Sequence, residues 1–132
     1  MTEIGRLKTR AEFLHVKGGA RYVAPSLVLE ARARADDARA DDTRAVGKDI
    51  DRSLARFGFT ATKTIGGAVV RNRARRRLKE AVRLTGPSRA KAGYDYVLIA
   101  RAGTLQRRFA ELIEDLERAL AKVHAPSAAK KR

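Results

Sequence analysis

RNRARRRLKEAVR, residues 71–83, sets six arginines and Lys79 against a single acid, Glu80. Read with a helical period, Ala74, Leu78, Ala81 and Val82 fall at i, i+4, i+7 and i+8 and form one narrow apolar stripe, leaving the cations to cover the rest of the circumference. The stretch therefore predicts a helix that docks on a small core and still shows Arg71, Arg73, Arg75, Arg76, Arg77 and Lys79 to a partner. Asn72 suits the N-cap and Gly86-Pro87 a stop, giving a helix over about 73–85. A mixed-sign charge run is usually a solvated face. This run is single-signed, and crowding like charges costs self-repulsion that a polyanion relieves. Arginine's planar fork also suits phosphate better than lysine's point charge.

The remainder of the chain supports a nucleic-acid partner. Its 132 residues carry 30 Lys and Arg against 15 Asp and Glu, a formal charge of +15, far from what solubility alone asks for. The span 33–53 is different in kind: almost wholly Ala, Arg and Asp, it reads as a solvated insertion long for a compact domain. Without it, 25 basic residues face 9 acidic ones, so the basicity belongs to the folded part. No apolar run approaches a membrane span and no signal-peptide core follows Met1, so the expectation is a cytoplasmic protein without a membrane partner. With no cysteine and only His15 and His124 as imidazoles, neither a metal site nor nucleophilic catalysis by the protein is expected.

Outward from the basic stretch, periodicity places the other elements. Thr9 and Glu12 form a capping box for a short helix over about 9–17, ended by Gly18-Gly19. Phe13 within it suits either a core or a base-stacking platform. His15 reads as a partly exposed polar residue. Residues 22–32 alternate like a strand entered after Pro25, with room for a further short strand at 22–24. Residues 54–63 put Phe57, Phe59 and Ala61 on one face of a second long strand. Gly66-Gly67 permit a tight turn but match no phosphate-loop spacing. Residues 94–100 read as a buried strand bounded by Gly93 and Gly103, and Leu105 to Val123 as one amphipathic helix that closes the core. The organisation is one domain over 1–125 with a flexible insertion at about 33–53 and a disordered basic tail at 126–132.

The string KTIGGAVVRNRARRRLKEAVR, residues 63–83, together with RLKTRAEFLHV before it and GYDYVLIAR after it, resembles the protein subunit of bacterial ribonuclease P over most of the chain. The resemblance implies an α+β fold: a two-layer α-β sandwich with an about four-stranded mixed sheet, the order α-β-β-β-α-β-α and a left-handed βαβ crossover. It implies an RNA-binding, itself non-catalytic subunit of a ribonucleoprotein endonuclease that removes the 5′ leader from precursor tRNA. Lys63, Arg71, Asn72, Arg73, Arg75, Arg76, Arg77 and Lys79 would face the catalytic RNA. Phe13, Lys17, Tyr22 and Val28 would line a leader-binding cleft. Hydrolysis would lie with the RNA and its Mg²⁺, the protein binding no cofactor alone, as a monomer in a one-to-one complex.

Three positions depart from the family pattern. Lys17 stands where a second aromatic is common in the first helix, Glu30 where one is common on the first strand, and Thr64 where a lysine often precedes the isoleucine. Two rival readings share the charge. One is a ribosomal or other structural RNA-binding protein. The other is a DNA-binding module, which the absence of a helix-turn-helix partner or heptad zipper disfavours.

Overall fold

The computed structural model describes residues 2–34 and 54–125. Most of the insertion and the tail at 126–132 lie outside them, and so do the expectations made for those segments. In chain order the elements are β1 (Glu3–Arg6), α1 (Arg10–Val16), β2 (Ala20–Val23), β3 (Leu27–Ala33), β4 (Leu54–Thr60), a 3-10 turn (Lys63–Ile65), α2 (Ala68–Arg89), β5 (Tyr94–Ala100), α3 (Ala102–Gln106) and α4 (Phe109–Val123). The five strands form one sheet in the order β1-β4-β5-β3-β2. β4 and β5 pair in parallel across the α2 crossover, β1 joins β4 in parallel, and β3 pairs antiparallel with both β5 and β2.

The register sorts side chains onto two faces, because strand neighbours directly opposite each other share a face. Leu27, Leu29, Ala31, Phe57, Tyr96 and Leu98 all join one buried cluster with Ala74, Leu78, Ala81 and Val82 of α2 and Leu112, Leu116 and Leu120 of α4. At its centre the rings of Phe57 and Tyr96 stack at 4.7 Å, an offset arrangement that adds to plain burial. The other face carries Val28, Glu30, Arg56, Gly58, Asp95 and Val97 by register, and the short α1 rests on it through Val16 and Phe13. The stripe anticipated for α2 is the one that is buried.

The structure corrects five expectations. The sheet has five strands instead of about four, since Glu3–Arg6 pairs alongside β4; four residues of mixed character give no readable alternation. α2 runs over 68–89, not 73–85, and its N-cap is Gly67 instead of Asn72. Gly66, at φ 146, turns the chain into the helix early, a conformation that residues with a Cβ rarely adopt. Nor does Gly86-Pro87 stop the helix. Pro87 sits in the last turn, where only one backbone bond is lost, and the end is satisfied by the residue before β1: Thr2 N–H donates to Pro87 O at 2.7 Å and Thr2 Oγ1 to Ala90 O at 2.9 Å.

Third, the strand expected over 54–63 ends at Thr60 and gives way to the 3-10 turn. Fourth, the closing helix is two helices broken at Arg107-Arg108. The break is built: Arg108 N–H donates to Glu111 Oε1 at 3.2 Å, and the Arg107 guanidinium pairs with buried Asp115 at 2.9 Å. Asp115 also accepts from Ser26 Oγ at 2.7 Å, tying α4 to the β2–β3 turn. Last, residues 33 and 34, expected in the solvated insertion, belong to the fold. Ala33 ends β3, and Arg34 is buried beside Asp95.

Candidate nucleic-acid interface

With its stripe of Ala74, Leu78, Ala81 and Val82 turned to the core, α2 presents its remaining residues in three directions. Asn72, Arg73, Arg76 and Lys79 are exposed. Among the described residues no carboxylate pairs with Arg73, Arg76 or Lys79, whereas Arg83 pairs with Glu80, which lies one turn back. That pair holds the Glu80 carboxyl below the usual range, through the hydrogen bond from Arg83 before any other cause. Arg75 lies on the flank toward β1, donating to Asn72 Oδ1. Arg71 is half-buried and donates to Gly66 O at 3.4 Å, and Lys63 is exposed at the start of the 3-10 turn. Of the cations that the sequence singles out, Lys63, Arg73, Arg76 and Lys79 are exposed, whereas Arg71 and Arg75 are half-buried.

Arg77 is the exception. On the flank facing α3 and α4, its Nη2 donates to Arg107 O at 2.7 Å and its guanidinium lies 5.7 Å from the Phe109 ring centre. It joins α2 to the α3–α4 break, a role that a charge run does not reveal because it depends on where another helix is interrupted.

The second predicted site is the face under α1. Phe13 is half-buried and sits against Gly58, where any Cβ would come within 2.5 Å of its ring carbons. A bare strand residue is therefore what lets the ring approach the sheet so closely. Val28 is on this face and buried, and Lys17 is exposed at the C-terminal end of α1. Tyr22 is not in the cleft: it pairs in register with Leu29 and packs against the main core on the opposite face. The period of two decides this, since residues 22 and 28 fall on opposite faces once the hairpin register aligns Val23 with Val28. Glu30 is buried on the cleft side, with Arg21 3.9 Å away.

The two sites meet. A cavity of about 150 Å³ is lined by Arg6, Leu7, Phe13, Gly58, Arg75 and Lys79 among others, so cations from β1 and α2 stand round the edge of the aromatic platform. Arg6 was missed by sequence reading; a lone arginine in a strand too short to show a pattern leaves no signal. Also unread was a chain of charges beneath α1, in which Arg56 bridges Glu12 and Asp95. Burial works to raise the Glu12 carboxyl. Hydrogen bonds from Lys8 and Thr9 N–H and the Arg56 charge outweigh it and hold the group below the usual carboxylate range. Together the arrangement sets a ridge of cations, whose chemistry suits phosphate, beside a groove that holds an aromatic ring.

Comparison with known proteins points the same way. The Ribonuclease P family model matches residues 1–124. The chain is 44% identical to the ribonuclease P protein component of Paramagnetospirillum magneticum over 92% of its length and 84% of that protein. It is 49% identical to that of Gluconacetobacter diazotrophicus over 89% of each. The solved Staphylococcus aureus RNase P protein superposes with a TM-score of 0.65 at 26% identity, over 91% of this chain and 97% of that one. The fold alone is shared with the Thermotoga maritima RNase P protein, TM-score 0.67 at 23% identity over 91% and 98%.

Proposed function

Because the chain belongs to the ribonuclease P protein family, we propose that it is the RNA-binding subunit of a ribonucleoprotein endonuclease that removes 5′ leaders from precursor tRNAs. In this reading the outer ridge of α2 grips the catalytic RNA and the cleft between α1 and the sheet takes the single-stranded leader. Hydrolysis belongs to the RNA and its bound Mg²⁺. The protein supplies positive potential where leader and RNA converge. One protein serves one RNA.

The observation that carries this reading is that Arg73, Arg76 and Lys79 are exposed and, among the described residues, unpaired with any carboxylate. Held on a rigid helix, such groups repel one another until phosphates neutralise them, and the counterions released supply affinity. The leader assignment is supported by Phe13, packed against Gly58 and lining one cavity with Arg75 and Lys79. Single-stranded RNA is recognised by this combination of stacked base and flanking cation. No helix among the described residues is long and apolar enough to cross a membrane.

The direct experiment adds the purified chain to a candidate catalytic RNA at low Mg²⁺ and scores cleavage of a precursor tRNA. Stimulation that saturates at one protein per RNA supports the proposal. A ribosomal or other structural RNA-binding protein would leave cleavage unchanged.

A further inference from the structure

We infer that Arg56 is a positioning residue for the leader: with Glu12 and Asp95 it forms an ionic strap that holds α1, and with it Phe13, at the edge of the cleft. The inference rests on the leader-cleft reading above and names what sets that cleft's geometry.

α1 has seven residues, about half the length at which a helix sustains itself in water. Its apolar anchorage is slight, resting on Val16, Phe13 and the preceding Leu7 against Val97 and Ile99. Polar contacts supply the rest. At the first turn the Glu12 carboxylate accepts from Lys8 N–H at 2.6 Å and Thr9 N–H at 3.0 Å, closing the capping box, and its second oxygen accepts from Arg56 Nη1 at 3.2 Å. Arg56 is the link to the sheet. Its Nε and Nη2 each donate at 2.9 Å to the two oxygens of Asp95, the residue opposite it in the β4–β5 register. Asp95 is 1% exposed and is also held by Arg34, which donates to Tyr94 O at 3.0 Å and Leu54 O at 2.8 Å. At the other end of α1, Arg32 Nη1 donates to His15 O at 3.1 Å.

The chemistry requires arginine. One planar group engages two carboxylates at once, bidentate to the buried one and single to the helix, which fixes direction as well as distance; an ammonium is a point charge without that fork. Phe13 follows Glu12 directly in the helix. The strap therefore fixes where the ring stands over Gly58, and a stacking platform displaced by about 1 Å loses much of its overlap with a base.

The test uses Glu12→Gln and Arg56→Lys in the full chain assembled with the catalytic RNA. Glutamine still serves in a capping box, so the helix start survives while its charge for Arg56 is lost, and the Arg56–Asp95 pair stays intact. The readout is the ratio of affinities for leader-bearing and mature tRNA, because a variant that merely lowered the folded fraction would weaken both alike. The ratio should fall about fivefold in Glu12→Gln and about tenfold in Arg56→Lys, the scale of one net hydrogen bond. Affinity for the catalytic RNA should not change. Phe13→Ala is the control. If it lowers the ratio and neither strap variant does, the inference is overturned while the cleft reading stands. A loss shared equally by leader-bearing and mature tRNA would make the strap simply structural, which also overturns it. Should Phe13→Ala itself leave the ratio unchanged, the cleft reading fails and the strap's role with it.

Discussion

The outer ridge of α2 and the floor beneath α1 are both built from arginine, yet they differ in one respect. Arg34 and Arg56 meet Asp95, which is buried; Arg73, Arg76 and Lys79 meet no acid among the described residues. A guanidinium given a buried carboxylate is committed to the fold, because removing either partner strands an unpaired charge. One left without a carboxylate on a rigid surface is available to an external anion. Residue type alone does not separate the two roles, and the position of the nearest acid does.

The sharpest break of that contrast is Asp95→Asn. It removes the buried carboxylate that Arg34 and Arg56 share, leaving Arg56 only its partly exposed partner Glu12, and should cost about 3–5 kcal/mol of stability in urea unfolding, a large part of what a domain of this size has. A change below about 1 kcal/mol would mean that Arg34 and Arg56 are as uncommitted as the ridge.

A finer comparison lies within α2. Arg77→Ala removes the bond to Arg107 O and the cation–π contact with the Phe109 ring, and should destabilise by about 1–2 kcal/mol. Its neighbour Arg76→Ala should stay within about 0.5 kcal/mol of the parent, as surface substitutions do. Equal melting temperatures for the two would refute the division of roles drawn between them.

The smallest effect concerns pH. Tyr96 Oη accepts from Lys91 N–H at 2.9 Å and lies within hydrogen-bond distance, 2.6 Å, of His124 Nε2. Burial, followed by the Lys91 charge, holds His124 below the usual histidine range. A folded pKa lower than the unfolded one means that the unfolded chain takes up a proton first as pH falls, so stability is complete above about pH 6.5 and declines below it. His124→Gln should flatten that decline between neutrality and the carboxylate range. An unchanged slope in His124→Gln would assign the decline to other groups.

Much of this arrangement was legible in the sequence because it is written in periods. The stripe of α2, the capping box at Thr9 and Glu12, the alternation around Phe57 and the buried run at 94–100 each follow from spacing. The unread parts depend on pairings between distant residues. Glu3–Arg6 is a strand only because β4 offers an open edge, and the closing helix breaks where Arg107 pairs with Asp115. Tyr22 changes face through the register of a hairpin whose turn type its sequence does not announce. The same limit applied to the site. Single-signed crowding marked the ridge, but nothing in the order of residues couples Arg56 to Glu12 and Asp95, or sets Arg77 apart from Arg76.

The central claim, that the uncompensated ridge of α2 is where the RNA is held, is tested most directly by the salt dependence of binding. Affinity for the catalytic RNA should be measured across a range of salt for the parent and for Arg73→Ala with Arg76→Ala. The account predicts weaker binding and a slope of log K against log salt shallower by about one unit for each phosphate no longer neutralised, with the melting temperature unchanged. The parent's slope and affinity, retained in the double variant, would contradict it and place the RNA on another face.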